Sequence, residues 1–421
     1  MNSNRVHLTS ALLAIMIALG TLAYGTIYAQ SMEQKYIHAL TSLRLSQSNI
    51  GSALQQAAFQ QSDLLMIYGS SEMVIEDTTT VMTYGGSKVK IDGTPYGASQ
   101  FFQYYPTGFN IYEIAEGGTS SLNIAQALAA IGPQLRGKKV VISFTPTIYH
   151  KEAVSSSAYA GNFSLLHANA LIFNPYLSIK TKQIAARRMI EYPETLNKDP
   201  VLKYAVRYLG CGCRYRSYLY LIAWPLGMVD TWVIQLQDHW EVLDYIWKHP
   251  NLSSQVIRKP EQIDWSTQIA QATMTQAVHS SNNPYGIENS ICDAYYSKIM
   301  TVPQKPASAD YSFLKKLNDS QEWTDFDLVL RVLKEAGAQP LILSRPLDGP
   351  IWNFRGLSKW ARKQYHVKLQ NAVSPYGFPV ISFVNHEGDR YFSIDQWSHT
   401  SREGWVYIDM SLDEFFHRQI H

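Results

Sequence analysis

Residues 64–72 constrain the fold most strongly, because an apolar segment here ends abruptly in a turn of small residues. The segment begins Leu-Leu-Met-Ile-Tyr and continues as Gly-Ser-Ser-Glu. A strand that ends in such a turn and leads into a helix exposes its serines at the carboxyl edge of a parallel sheet, where open α/β folds bind ligands. We therefore predict that Ser71 is a nucleophile at this edge.

A candidate base for Ser71 lies near the other end of the chain. A serine hydroxyl is a weak nucleophile at neutral pH and needs a base, usually a histidine that a carboxylate orients. Residues 395–399, Asp-Gln-Trp-Ser-His, supply such a pair in Asp395 and His399. Neither segment is specific alone, since Gly-Ser-Ser is common in turns and caps and the chain has twelve histidines.

Strand and helix patterns alternate in two separate parts of the chain. The predicted strands are 64–67, 109–112, 138–144, 340–344 and 378–383, and the predicted helices are 122–131, 326–336 and 357–372. Gly337 follows the second of these helices as a C-terminal cap. This alternation is typical of βαβ units. We predict an α/β fold with a parallel sheet, flanking helices and a large, mostly helical insertion.

The amino-terminal region predicts a membrane anchor. From Leu8 to Ala29 the chain carries no charged side chain, which is enough to cross about 30 Å of hydrocarbon as a helix. Arg5 precedes this run and favours a cytoplasmic amino end. A cleaved secretory signal, with a small-residue site at 23–25, is the alternative. Both interpretations export everything after about residue 30.

The same patterns predict five segments. They are an anchor at 1–30, a juxtamembrane stalk at 31–60, a first part of the sheet domain at 61–150, the helical insertion at 151–319, and a second part with the Asp/His loop at 320–421. Within the insertion, residues 217–236 are unusually apolar and too short to span a bilayer. They form either a buried core helix or a surface that contacts the membrane or a membrane partner.

Charge and cysteine content narrow the possible partners. The chain has 36 basic and 34 acidic residues, and it has no dense basic run of the kind that binds nucleic acid. In an exported chain, the three cysteines permit one disulfide between Cys292 and either Cys211 or Cys213. A zinc site is disfavoured, because the Cys-Gly-Cys pair has no second pair or histidine at ligand spacing.

The motifs together resemble the SGNH hydrolase plan and, more closely, the DltD family of D-alanine transfer proteins. The resemblance covers nearly the whole chain. It rests on the anchor, on Tyr-Gly-Ser-Ser-Glu at 68–72, Glu-Gly-Gly-Thr at 116–119, the segment 325–338, and the end blocks 395–399 and 404–409.

The resemblance assigns roles to individual residues. It implies that Ser71 is the nucleophile, His399 its base and Asp395 the orienting carboxylate. The oxyanion and substrate would be bound at Ser70, Gly117, Gly118 and Thr147, with the backbone amides of Ser71 and of Gly117 or Gly118 as oxyanion donors.

Two positions depart from the family pattern. Three residues separate Asp395 from His399, where the family usually has two, which predicts a displaced Asp395 or a bulged loop. The third strand ends in Thr-Pro-Thr at 145–147, which offers hydroxyls where the SGNH plan has an asparagine.

Three nearby residues have structural interpretations of their own. Trp405 is predicted to pack under the final helix, and Asp409 to cap that helix or lie on its surface. Glu72 either sits in a helix first turn, where the dipole favours it, or takes part in the site.

The resemblance implies extracytoplasmic acyl transfer at the inner (cytoplasmic) membrane. A D-alanyl-Ser71 ester would form from a D-alanyl donor and pass to an envelope glycan, teichoic acid or lipopolysaccharide. A membrane-bound O-acyltransferase would be the partner, and no metal or organic cofactor would be needed. The alternatives are a periplasmic esterase or thioesterase, and a non-catalytic docking subunit of the acyltransferase.

Overall fold

Five parallel strands form the centre of the molecule. The computed structural model describes residues 2–41, 51–74, 80–84, 86–91, 93–149, 154–212, 216–253, 259–304, 308–397 and 399–418. The strands are β1 (Leu64–Gly69), β2 (Thr80–Tyr84), β3 (Ser87–Ile91), β4 (Asn110–Ala115), β5 (Lys139–Phe144), β6 (Gln339–Ser344) and β7 (Val380–Ile381). The main sheet has the order β4-β1-β5-β6-β7, and β2 and β3 pair separately as an antiparallel hairpin. The predicted α/β fold with a parallel sheet is thus confirmed.

Strand pairing explains why the two βα parts of the chain form one sheet. β5, from the first part, pairs with β6, from the second, in register from Lys139 opposite Gln339 to Phe144 opposite Ser344. The interiors of both strands are fully buried, as expected for a parallel sheet that helices cover on both faces. The long helical region therefore connects the carboxyl end of β5 to the amino end of the adjacent strand β6.

Helices surround the sheet and make up most of the insertion. They are α1 (Asn2–Thr41), α2 (Ala53–Gln60), α3 (Ser71–Val74), α4 (Ala98–Tyr104), α5 (Ser121–Ile131), α6 (Pro146–Tyr149), α7 (Ser156–Gly161), α8 (Leu165–Phe173), α9 (Ile179–Ile190), α10 (Pro193–Leu196), α11 (Pro200–Gly210), α12 (Tyr220–Lys248), α13 (Trp265–His279), α14 (Asn289–Ile291), α15 (Ser297–Ile299), α16 (Ala309–Asp319), α17 (Glu322–Ala336), α18 (Gly349–Phe354), α19 (Lys359–Val373) and α20 (Arg402–His417). A π-turn at Cys292–Tyr296 joins α14 to α15, and 3₁₀ turns occupy Gly132–Leu135, Arg216–Leu219, Ser374–Tyr376 and Val384–His386. Gly337 ends α17 in the left-handed conformation, as its C-cap position requires.

The last predicted strand is shorter than its apolar run. Residues 378–383 suggested a full strand, yet the ladder with β6 contains only Val380 and Ile381. Phe383 adopts a φ of +46°, which turns the backbone out of the extended region. The chain therefore leaves the sheet early and passes into a short 3₁₀ turn.

The amino-terminal helix has two different halves. From His7 onward α1 is long and apolar enough to cross a membrane, and its most apolar window is almost entirely exposed. Near its carboxyl end, Glu33, Ile37 and Leu40 are buried against the folded domain. The residues 31–41 thus continue the helix into the core. The segment boundaries proposed from the sequence remain a prediction.

A buried charge cluster joins α9 to α17. The Arg188 guanidinium donates to both carboxylate oxygens of Asp325, at 2.7 and 3.1 Å, and also pairs with Glu191. Glu322, one turn before Asp325, accepts a hydrogen bond from the backbone N–H of Ser121 at 3.1 Å. Burial, together with the nearby Asp325 charge, raises the pKa of Glu322 to about 8.

Glu322 should therefore make the stability of the fold pH-dependent. Its folded pKa lies above its ordinary value of 4.5, so the folded chain holds a proton that the unfolded chain releases. The free energy of unfolding should then fall as the pH rises from about 4.5 to about 8. Glu322→Gln should remove this component of the slope, measured by thermal unfolding of the detergent-solubilised chain across that range. Glu414→Gln, at an exposed position of α20, is the control, and equal slopes in all three proteins would refute the assignment.

Candidate active site

The carboxyl edge of the sheet brings together residues from distant parts of the chain. β1 ends at Gly69 and α3 begins at Ser71, while β5 ends at Phe144 just before Thr145. Gly69 permits the sharp turn, because a Cβ there would lie 2.7 Å from Met73 Cγ and 2.9 Å from a Glu72 oxygen. Ser71 is thereby held at the edge where α/β folds bind ligands.

Ser71, His399 and Asp395 form a continuous hydrogen-bonded chain. Ser71 Oγ lies 3.4 Å from His399 Nε2, and His399 Nδ1 lies 2.6 Å from Asp395 Oδ2. The Asp395 oxygen can only accept, so Nδ1 carries the proton and Nε2 is left to accept one from Ser71. Asp395 is fully buried, His399 nearly so, and Ser71 is partly exposed. This arrangement can remove the serine proton when an acyl carbonyl approaches.

Backbone hydrogen bonds close the loop that contains the extra residue between Asp395 and His399. Ser393 and Thr400 form an antiparallel bridge, and Ile394 N–H donates to the His399 carbonyl at 2.9 Å. Inside this loop, the backbone N–H groups of Trp397 and His399 donate to Asp395 Oδ1 at 2.8 and 3.3 Å. The carboxylate therefore keeps its contact with the imidazole although the spacing is longer. Ser398 lies outside the described residues.

Tyr84, which the sequence analysis did not single out, completes the set around Asp395. It ends β2, and its hydroxyl donates to Asp395 Oδ2 at 2.5 Å. The hairpin is held by a separate apolar cluster that includes Tyr84, Ile291, Cys292, Tyr296 and Ile394. Nothing in the sequence indicated this contact, because Tyr84 lies more than 300 positions before Asp395 and belongs to no shared motif with it.

Arg345, a second residue that the sequence analysis did not single out, stabilises the backbone of the Gly-Ser-Ser-Glu turn at 69–72. Its buried guanidinium donates to the Glu72 carbonyl at 2.5 Å and packs over the Trp405 ring at 4.9 Å. The Glu72 side chain in turn accepts from the backbone N–H of Ser70 at 3.0 Å. Glu72 thus supports the turn itself. Trp405 lies in the final helix and is fully buried in the apolar core, so it is a packing residue, as predicted.

A cavity of about 400 Å³ opens in front of Ser71 and His399. Ser70, Gly118 and Thr147 line it, whereas Gly117 lines a neighbouring cavity of about 480 Å³. Gly118 has a φ of +81°, a conformation that glycine adopts without strain. Thr147 Oγ1 lies 2.7 Å from Thr145 Oγ1, so the hydroxyls of the third-strand turn face the site as a pair.

The two cavities lie side by side and share part of their walls. Thr119, Ile124 and Ala158 line both. Among the described residues that line either cavity there is no lysine or arginine, and the acidic ones are Glu72 and Glu116. Burial lowers the pKa of His167, in the second cavity, to about 4, so this side chain is neutral at physiological pH.

Two structural predictions outside the site are wrong. Asp409 neither caps α20 nor lies on its surface: it is fully buried, because Trp405, Asp409 and Leu412 share one helical face toward the core. Cys292 forms neither of the two disulfides that the sequence permits, since its buried thiol is free and packs in the apolar hairpin cluster. Cys213 lies outside the described residues.

Comparison with known proteins finds relatives that match most of the chain. The family model "DltD protein" matches residues 44–417. Protein DltD of Bacillus subtilis (strain 168) is 27% identical over 379 residues, which cover 90% of each chain. Protein DltD of Staphylococcus aureus (strain NCTC 8325 / PS 47) is 21% identical over 362 residues, which cover 86% of this chain and 83% of that one. Because the family model spans most of its length, the chain belongs to the DltD family.

Proposed function

We propose that the protein transfers D-alanyl groups to a cell-envelope polymer outside the cytoplasmic membrane, through an ester on Ser71. The observation that carries the proposal is the Ser71–His399–Asp395 chain, with contacts of 3.4 and 2.6 Å, at the mouth of a 400 Å³ cavity. Family membership adds D-alanine transfer as the process. The serine turn after β1 and the glycine turn after β4 resemble the SGNH hydrolase plan, whereas the Thr-Pro-Thr turn after β5 departs from it.

The first half-reaction forms the acyl-enzyme. Ser71 Oγ attacks the carbonyl carbon of a D-alanyl ester or thioester while His399 Nε2 takes the serine proton. Asp395 stabilises the resulting imidazolium. The backbone amides of Ser71 and Gly118 are the proposed oxyanion donors. The bond to the leaving group then breaks, and the leaving group takes the proton from His399.

The second half-reaction passes the group to an alcohol. His399 removes a proton from the acceptor hydroxyl, whose oxygen attacks the D-alanyl-Ser71 ester, and the proton returns to Ser71 as the ester bond breaks. The absence of lysine and arginine from the described lining of both cavities suits the α-ammonium of D-alanine. It also favours an acceptor that inserts a neutral hydroxylated unit and leaves any phosphates outside.

Membrane anchoring by α1 is part of the proposal. The helix would cross the cytoplasmic membrane once and hold the folded domain on the extracytoplasmic side, as Arg5 before the apolar run favours. A membrane-bound O-acyltransferase is the proposed partner that supplies the D-alanyl group.

The direct test is the mass of the intact full-length protein in detergent after incubation with a D-alanyl thioester. We expect a gain of one alanyl group that is absent in Ser71→Ala and retained in Ser297→Ala, an exposed serine in α15. Release of the group by an added polyol, faster than by water, would support transfer, whereas release by water alone would favour an esterase. A folded protein that forms no adduct and shows no turnover would favour a docking subunit.

Tyr84 should contribute through Asp395. Tyr84→Phe removes a donor to the carboxylate, and because hydrogen bonds to charged groups contribute about 1.5–3 kcal/mol, we expect the acylation rate to fall by at least about tenfold. The pH profile of acylation should also change, since Tyr84 contacts the same oxygen as His399. Tyr295→Phe is the control, as its ring lies 6.3 Å from that of Tyr84 in the same region. Equal effects of the two substitutions would show a role in packing alone.

A further inference from the structure

The outer face of α12 is apolar over three turns. Its members are Leu221, Ile222, Leu226, Val229, Trp232 and Val233, each between 39% and 66% exposed. On the opposite side of the helix Ala223, Gly227 and Thr231 are buried. The spacing of three and four residues places the six on one helical face. Asp230 is the sole ionisable residue from 221 to 233, and it is half-buried. The sequence predicted either a buried helix or a contact with the membrane or a membrane partner. In α12 one side is buried, and the other is apolar and exposed.

Contacts between α12 and α1 place this face near the end of the proposed membrane span. The Trp240 indole packs against Gly25, where a Cβ would lie 2.8 Å from it, and His239 Nδ1 lies 2.8 Å from the buried Glu33 carboxylate. Gly25 and Glu33 are separated by about 12 Å along α1, while their partners are adjacent in α12. The two helices therefore cross, and they do so where the uncharged run of α1 ends.

The same contacts give the direction of the apolar face. Trp240 follows Leu226 and Val233 at seven-residue intervals, so it continues their side of α12. His239 follows Trp232 of the same face at the same interval. Both residues contact α1, Trp240 at Gly25 inside the uncharged run and His239 at Glu33 beyond it. The outer face of α12 thus lies on the side of this helix that packs against α1, beside the end of the uncharged run.

We propose that the outer face of α12 inserts into the lipid interface of the membrane that α1 crosses. In this arrangement α12 lies parallel to the membrane surface, with its apolar side among the upper acyl chains. Trp232 and Trp240 would then lie at the level of the lipid headgroups, where tryptophan is enriched. The proposal rests on the membrane crossing of the proposed function. A spanning helix and a surface helix together would fix the orientation of the domain on the membrane, which α1 alone would leave free to rotate.

Photocrosslinking of the full chain tests this contact. Benzoylphenylalanine replaces Val229, or independently Leu226, and the protein is reconstituted in phosphatidylglycerol and phosphatidylethanolamine vesicles. Val278, an exposed valine at 70% on α13, is the matched control position. After irradiation, the intact mass should show lipid adducts for the variants at 229 and 226 and no lipid adduct for the variant at 278. All three variants should unfold at the wild-type temperature.

Vesicle flotation separates the possible failures. A chain that does not float overturns the crossing by α1 and this proposal with it. A chain that floats and unfolds normally but gives no lipid adduct at 229 and 226 overturns the surface contact alone. Crosslinking of both positions to another membrane protein in native membranes, with no lipid adduct, also overturns it, because a protein then covers the face.

Discussion

Asp395→Asn is expected to lower the rate of D-alanyl transfer about 10⁴-fold, as the equivalent change does in a Ser-His-Asp triad. The structure gives the reason. Asp395 Oδ1 accepts from the backbone N–H groups of Trp397 and His399, so the amide oxygen of asparagine would occupy that place. Its NH₂ group would then face His399 Nδ1, which must become an acceptor. The proton would move to Nε2, and the imidazole could no longer accept the proton of Ser71.

The measurement is the rate of the alanyl adduct on intact protein, together with thermal unfolding. Asp389→Asn is a suitable control, because Asp389 forms an Asp–His pair of similar length, 2.7 Å to His386, that is partly exposed and away from the cavity. We expect the control to react at the wild-type rate. Wild-type acylation by Asp395→Asn would show that the carboxylate does not orient the base.

Arg188→Leu is expected to destabilise the fold by about 3–5 kcal/mol, the usual cost of removing one partner of a buried ion pair. The side chains of Arg188 and Asp325 are only 3% and 1% exposed. Burial already raises the pKa of Asp325, and the Arg188 guanidinium opposes that rise. Without the guanidinium the carboxyl group must stay buried unpaired or take up a proton.

Arg331→Leu provides the matched comparison within the same region. Arg331 pairs with Asp327 on the surface of α17, at 2.7 Å and with side-chain exposures of 28% and 39%. Pairs of this kind contribute about 0.2–1 kcal/mol. Urea unfolding of both variants in detergent should therefore separate them clearly. Similar losses of stability would mean that the buried cluster is no more important than a surface pair.

Local patterns predicted the elements of this fold well, and the reason is physical. Side-chain periodicity and turn chemistry act over a few residues, so the strand at 64–69, the helix at 121–131 and the Gly337 cap could all be predicted from adjacent positions. The early end of β7 could not, because it depends on the positive φ of Phe383 and on how the chain packs beyond the sheet.

The residues of the candidate site also fall into those that local patterns predicted and those that they missed. Ser71, Asp395 and His399 were found through motifs that lie within short segments. Tyr84 and Arg345 were missed, since each reaches the site through a contact that spans some 270 to 310 positions and leaves no local spacing.

By itself the sequence determined the family, the parallel α/β architecture, the apolar amino-terminal helix and the residues of the serine and histidine motifs, because each depends on neighbours in the chain. The tertiary structure alone decided how the longer Asp–His loop closes, which way the two faces of α12 point, and that Asp409 and Cys292 are buried. These features depend on distant segments that pack together, where burial and hydrogen bonding set the outcome.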